Sequence, residues 1–263
     1  MTDPIPMKND KAIASTGILT CPNMIAIASG KGGVGKTWFS ITLSQALAKR
    51  GKRVLLFDGD LGLANVDIQL GLTPERDLGG VVEGSLQLKN AVTPYKEGQF
   101  DILAGRSGSG NLAALSTQKL SDLRGDLIEL AKTYDYVLVD LGAGVDRSVR
   151  QLAGPAAITY VITNDEPTSL TDSYAFIKLA RAANPSADMR VVVNMATNAS
   201  EGQKTYETMR KACETFLKYS PPLAGIVRRD TKVRDAIRAQ TPLLTRSPSA
   251  EAAQDVDAIA ARM

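Results

Sequence analysis

Ser29-Gly30-Lys31-Gly32-Gly33-Val34-Gly35-Lys36-Thr37 decides the reading of this chain. It fits the phosphate-loop pattern G-x-x-x-x-G-K-[ST] and carries a second lysine, Lys31, directly after the first glycine. Met24 to Ala28 before it is a short apolar run suited to a buried strand. From Trp38 to Arg50, Phe39, Leu43, Ala46 and Leu47 recur at helical spacing. The glycines therefore lie between a strand and a helix, the setting a phosphate loop needs. Glycine tolerates positive φ and lets several N–H groups converge on one anion, and the helix N-terminus adds partial positive charge. In this pattern Lys36 reaches the β- and γ-phosphates and the Thr37 hydroxyl ligates Mg²⁺. Gly30, Lys31, Gly32, Gly33, Val34, Gly35, Lys36, Thr37 and Trp38 are the candidate phosphate-binding residues.

Outward from the loop, strands and helices alternate. Strands are expected at Arg53–Phe57, Phe100–Leu103, Tyr136–Val139, Ala157–Thr163, Arg190–Val193 and Leu223–Val227. Helices are expected at Asp77–Glu83, Ser116–Lys132, Thr168–Ala183, Glu201–Leu217, Thr231–Ala239 and Pro248–Ala261, with Tyr174, Ile177 and Leu179 as core contacts of the third. Ser107 to Gly110 reads as a flexible loop. Alternation of this kind argues an α/β fold, a mostly parallel twisted sheet with helices on both faces. Ligands of such sheets sit outside the carboxyl ends of the strands, where the phosphate loop, Asp58, Asp60, Asp140 and Asn194 all fall. Taken singly, Asp58 and Asp60 also read as solvated turn residues and Asp140 as a helix cap, but three carboxylates at strand ends beside a phosphate loop argue against that.

Composition narrows the chemistry. At 263 residues the chain can bury one large core, and residues 23–263 are expected to form one domain behind a polar arm, residues 1–22. Lys and Arg number 31 against 28 Asp and Glu, too even a balance to argue nucleic acid by itself. Histidine is absent, which removes every imidazole base and His-held metal. Cys21 and Cys213 match no metal or redox spacing and read as ordinary reduced thiols. No apolar run approaches the ~20 residues of a membrane span, and no signal-peptide core is visible, so a cytoplasmic protein is expected.

Lys31 to Thr37 resembles the deviant Walker A motif of the MinD/ParA ATPases, a P-loop NTPase family. Phe57 to Asp67 looks like that family's switch I, Val137 to Gly144 like its Walker B strand and switch II, and Val191 to Asn194 like the strand ending in its base-contacting asparagine. Asp58-Gly-Asp-Leu-Gly-Leu-Ala-Asn-Val-Asp67 and Glu166-Pro-Thr-Ser-Leu-Thr-Asp-Ser-Tyr-Ala175 are similar to its flagellar-number branch, FlhG/FleN. The resemblance implies ATP/ADP and Mg²⁺ as ligands and slow, Mg²⁺-dependent hydrolysis. Asp60 would orient the attacking water, with Asp58 and Asp140 near the metal, directly or through water. Lys31 would contact the nucleotide of a second copy across an ATP-joined homodimer. Asn194 would meet the base, with Arg228 and Asp230 beside it; relatives commonly have proline where Arg228 stands.

The resemblance implies a switch regulating flagellar number or placement, acting with a partner protein that stimulates hydrolysis. The alternatives are a ParA-like protein positioning cargo over the nucleoid and a MinD-like division-site regulator; the pole and the nucleoid are the corresponding places in the cell. Arg228, Arg229, Lys232, Arg234 and Arg238 would hold DNA non-specifically, or form a solvated helix face with Asp230 and Asp235. The last helix carries an apolar stripe of Ala252, Val256, Ile259 and Met263 opposite Glu251, Asp255 and Asp257. That acidic face argues packing on the protein's own body over insertion into a membrane. Met1 to Asn23 lacks the activating helix motif of the flagellar branch.

Overall fold

A computed structural model describes residues 20–105 and 115–263; the expected loop at Ser107–Gly110 and all but the end of the expected arm lie outside them. β1 (Cys21–Ser29) leads through the phosphate loop into α1 (Lys36–Ala48). β2 (Val54–Gly59) is followed by two short helices, α2 (Val66–Leu70) and α3 (Leu78–Val82), and by β3 (Thr93–Tyr95) and β4 (Phe100–Leu103). Four helix–strand alternations complete the sheet: α4 (Thr117–Ala131) and β5 (Tyr136–Ala143), α5 (Arg147–Ala153) and β6 (Ala156–Thr163), α6 (Pro167–Ala183) and β7 (Asp188–Ala196), α7 (Ala199–Leu217) and β8 (Leu223–Arg228). The helices α8 (Thr231–Arg238), α9 (Leu243–Arg246) and α10 (Glu251–Ala260) follow.

The strands form an eight-stranded sheet in the order β3-β4-β2-β5-β1-β6-β7-β8, parallel except for β3, which runs antiparallel to β4 at the edge. The expected fold class is the observed one. Side chains alternate across the sheet with the strand period of two. Ile25 and Ile27 of β1 face α1 and α10, whereas Met24, Ala26 and Ala28 face the layer of α4 to α7. The same period sends Leu56 of β2 and Leu138 of β5 toward α1, and with them Asp58 and Asp140, two residues further on. In the parallel register Asp58 stands directly beside Asp140. Two carboxylates thus come together beneath the start of the helix that follows the phosphate loop.

Most expected elements appear with ends shifted by a few residues. β1 begins at Cys21, ahead of Met24, because Cys21 is buried and its N–H donates to the Pro155 carbonyl at 2.7 Å. α1 is buried nearly all round, between the sheet and α10, which a one-sided reading of its apolar residues understates. One core assignment is corrected. Leu179 is 37% exposed, and Phe176 with Ile177 carries the buried face of α6, while Tyr174 is half-buried. The stripe Ala252, Val256 and Ile259 of α10 is fully used against the body of the protein, so this helix offers no free apolar face. Both cysteines are buried and unpaired, and no helix among the described residues is long and apolar enough to cross a membrane.

Candidate nucleotide site

The cleft at the carboxyl ends of β1, β2, β5, β7 and β8 encloses about 840 Å³, within the usual range for small-molecule sites. Its walls bring together Gly32, Gly33, Gly35, Lys36, Thr37, Trp38, Asp60, Asn194, Arg228 and Asp230. The loop takes its shape from two glycines in the left-handed region, Gly33 at φ 80° and Gly35 at φ 91°. A Cβ on Gly35 would also lie 2.5 Å from Nδ2 of Asn194. Gly30 is required for a different reason: its Cβ would sit 2.1 Å from the Asp172 carbonyl carbon, so the loop could not close onto α6.

Lys36 is the first residue of α1 and only 8% exposed. Its Nζ folds back to donate to Ser29 Oγ at 2.8 Å, and Ser29 Oγ donates to the Lys31 carbonyl at 2.7 Å. Burial lowers its pKa, opposed by the charges of Asp140 and Asp60.

Asp58 and Asp140 are each 1% exposed. Burial pushes Asp58 up to about 8, with the Asp140 charge adding to it against three backbone hydrogen bonds. Burial likewise raises Asp140 to about 6, against the Thr37 and Ser40 hydroxyls and the Lys36 charge. The Ser40 hydroxyl donates to Asp140 Oδ1 at 3.0 Å. Asp58 has a task the sequence did not disclose. Its Oδ2 accepts from the N–H groups of Asn65 and Val66 at 2.9 and 3.0 Å, and its Oδ1 from Asp60 N–H at 3.2 Å. Both oxygens are thus engaged by the backbone of residues 60–66, the expected switch I, and hold it to the end of β2.

Asp60 reaches into the cleft, its Oδ1 accepting from the N–H groups of Gly62 and Leu63 at 3.3 and 3.0 Å. The end of β5 passes close to this carboxylate: a Cβ on Gly142 would lie 3.4 Å from it, in van der Waals contact. Gly144, in the expected switch II, donates its N–H to the Ser29 carbonyl at 2.9 Å. Switch II is therefore tied directly to the phosphate loop, and switch I to the end of β2.

Lys31 is not among the residues lining the cleft. Its Nζ lies 2.5 Å from Glu166 Oε2 and donates to the Thr168 hydroxyl at 3.0 Å, at the start of α6. These two partners follow the end of β6, as the other site residues follow the ends of their strands; that placement was the available signal for them.

At the other end of the cleft, Asn194 is buried and donates through Nδ2 to the Val34 carbonyl at 2.7 Å, bracing the phosphate loop. Asp230 accepts from the Lys232 N–H as the N-cap of α8. Arg228 is gripped from α10. Asp255 Oδ2 accepts from its backbone N–H and from Nε, each at 2.9 Å, Asp255 Oδ1 accepts from Nη2 at 2.9 Å, and Glu251 accepts from Nη1 at 2.6 Å. Asp257 pairs with Arg50. The acidic face of α10 is therefore ion-paired to its own protein.

The residues present fit a Mg²⁺-nucleotide. A cradle of glycines follows a strand, a lysine sits beneath it, and the Thr37 hydroxyl and Asp140 supply the hard oxygen donors magnesium prefers. No group of three or more Asp, Glu or Cys among the described residues is placed to hold an ion alone, as suits a metal bound largely through phosphate oxygens.

Comparison with known proteins agrees. Residues 25–243 match the family described as the CobQ/CobB/MinD/ParA nucleotide binding domain. The antiactivator FleN of Pseudomonas aeruginosa is 36% identical over 91% of this chain and 85% of its own length. The flagellum site-determining protein YlxH of Helicobacter pylori is 28% identical over 90% of this chain and 80% of its own. The septum site-determining protein MinD of Pyrococcus horikoshii, solved as a complex with Mg-ADP, shares the fold with a TM-score of 0.77 at 24% identity, covering 92% of this chain and 95% of its own. The chain belongs to the CobQ/CobB/MinD/ParA family and is a P-loop ATPase.

Proposed function

We propose that residues 23–263 act as one ATP-dependent dimerising switch of the FlhG type, setting the number or placement of flagella. The observation that carries the switch is Lys31. It leaves its own cleft unlined and is held at the surface by Glu166 and Thr168. A cation poised there can serve the phosphates of a second copy, as an arginine finger does. The flagellar assignment draws its support from the names of the two relatives, FleN and YlxH.

In this reading Lys36 and the loop N–H groups hold the phosphates, and Thr37 and Asp140 hold the metal. Bound Mg²⁺ supplies charge neutralisation at the β- and γ-phosphates. Asp60 orients the attacking water, and Asn194, Arg228 and Asp230 flank the base. Asp58 keeps switch I seated on β2, so the loop can report the phosphate state. A partner protein would stimulate the slow intrinsic hydrolysis.

Asp60→Ala with ATP is expected to give a stable dimer by light scattering, and Lys31→Ala to bind ATP yet stay monomeric. A monomeric Asp60→Ala protein under saturating ATP overturns the dimer reading. Deleting the gene should change the flagellar count per cell; an unchanged count removes the flagellar role.

One observation favours a second reading, cargo positioning over DNA. Arg229, Lys232, Arg234 and Arg238 are exposed, with no carboxylate ion pair among the described residues. Salt-sensitive retention of DNA that is lost in Arg234→Glu/Arg238→Glu would support it.

A further inference from the structure

On the sheet face opposite α1, away from the nucleotide cleft, lies a second cavity of about 390 Å³ between α4, α5 and α6. Its rim carries three arginines, Arg124 from α4 and Arg147 and Arg150 from α5, against one carboxylate, Asp188, which is ion-paired to Arg190. None of the three has a carboxylate partner among the described residues. Its floor is apolar, formed in part by Phe176 and Ala180 of α6. Gln151 also lines it; its Oε1 is buried without a hydrogen-bond partner, so a turn of the side chain toward the cavity would present an unsatisfied acceptor to a ligand. An unpaired arginine rim, an apolar floor and an orphaned acceptor are together unlike a packing defect. Arginine forks match carboxylate, phosphate or sulfonate oxygens, the floor matches a flat apolar body, and the orphaned oxygen matches one N–H or O–H. The volume falls in the small-molecule range.

The cavity is also wired to the ATPase site. Arg150 donates through Nε to the Val145 carbonyl at 3.1 Å, and the expected switch II, which follows the Walker B strand, spans Gly142 to Asp146. The neighbouring Gly144 N–H donates to the Ser29 carbonyl at 2.9 Å, and Ser29 Oγ accepts from Lys36 at 2.8 Å. An anion at the Arg150 guanidinium offers a stronger, charge-assisted acceptor than the Val145 carbonyl and draws the arginine away from switch II. We propose that this cavity is an effector site for a small organic anion with an apolar body and one hydrogen-bond donor, and that Arg150 relays its occupancy to switch II. The relay rests on the switch reading above; the site does not.

The probe is 8-anilinonaphthalene-1-sulfonate, which has a sulfonate, an aromatic body and one N–H. It is titrated by fluorescence into the full-length protein saturated with Mg-ADP, so that the nucleotide cleft is filled. One probe per chain is expected, with affinity about tenfold weaker in Arg124→Gln, as for loss of one charge-assisted hydrogen bond. Ala180→Phe, which fills the cavity, is expected to abolish binding. Should Ala180→Phe fail to fold, Arg124→Gln on the surface still decides. Unchanged affinity in the folded variants, or binding only to nucleotide-free protein, overturns the site. In the second arm, the probe is expected to change the ATP hydrolysis rate of the wild-type protein and to leave that of Arg150→Gln unresponsive. Binding at the cavity with no effect on the wild-type rate overturns the relay alone.

Discussion

At the phosphate end of the cleft, Lys36, Asp58 and Asp140 are charged or titratable groups sealed in the core, each satisfied by a neighbour that is itself fixed. At the base end, Arg228 is only partly buried and is held in place from α10 by Asp255 and Glu251. Removing one member of a buried network strands its partners at the full cost of desolvation. Removing one member of a surface pair loses little, because water replaces it. The phosphate end should therefore fail outright when cut, and the base end should only be tuned.

Lys36→Ala tests the first half and carries the largest expected effect. It removes the cation beneath the phosphates and leaves Ser29 Oγ and Asp140 without their positive neighbour. Nucleotide affinity, read by calorimetry, is expected to fall by at least about 100-fold, roughly the worth of two charge-assisted hydrogen bonds. Retained affinity would mean that the backbone N–H groups alone carry the phosphates.

A smaller effect follows from the carboxylates with metal and nucleotide removed. Asp58 titrates near 8 in the folded protein, against an ordinary value of 3.8. A raised folded-state pKa means that the folded form keeps the proton longer than the unfolded chain does. The resulting stability is fully present below about pH 4 and is lost as pH rises toward 8, at up to ~1.4 kcal/mol per pH unit. Asp140, raised to about 6, acts in the same direction over the lower part of that window. The melting temperature of the apo protein should fall from pH 5 to 8, and Asp58→Asn should flatten the fall. With Mg-ADP bound, the added positive charge favours both carboxylates ionised and the slope should weaken. An apo protein whose stability is flat across this range would contradict the buried-pair description.

The two ends also differ in how plainly the sequence announces them. The phosphate loop is contiguous, and its glycines, lysines and threonine sit at fixed spacing between a strand and a helix. Period-two alternation then places Asp58 and Asp140 on the α1 side without further information. The base end is assembled from residues far apart. The acidic face of α10 was legible, but its purpose was not, because nothing local says that Asp255 will meet Arg228 twenty-seven residues earlier. Glu166 and Thr168 meet Lys31 across 135 and 137 residues and were hidden for the same reason. Local signal also failed where elements are short. Thr93-Pro94-Tyr95 is a strand because β4 offers it an edge, where a sheet tolerates proline. Hydrophobicity alone points Leu179 inward, whereas the turn of α6 presents Phe176 and Ile177 to the sheet.

Asp255→Asn tests the base end and should produce the smallest change. Its carboxylate accepts from the Arg228 backbone N–H as well as from the guanidinium, so it sets the path of the chain where β8 gives way to the loop before α8. Asparagine keeps one oxygen acceptor and loses the charge. The guanidinium is partly solvent-exposed and retains Glu251, so screening limits the loss of stability to about 1 kcal/mol. Since the loop lines the cleft, nucleotide affinity is expected to fall about threefold to fivefold, the same energy read as binding. Glu251→Gln, which touches only the outer guanidinium nitrogen, should do less still. A loss from Asp255→Asn as large as that from Lys36→Ala would show that the clamp from α10 is part of the binding site itself, and the contrast between the two ends would disappear.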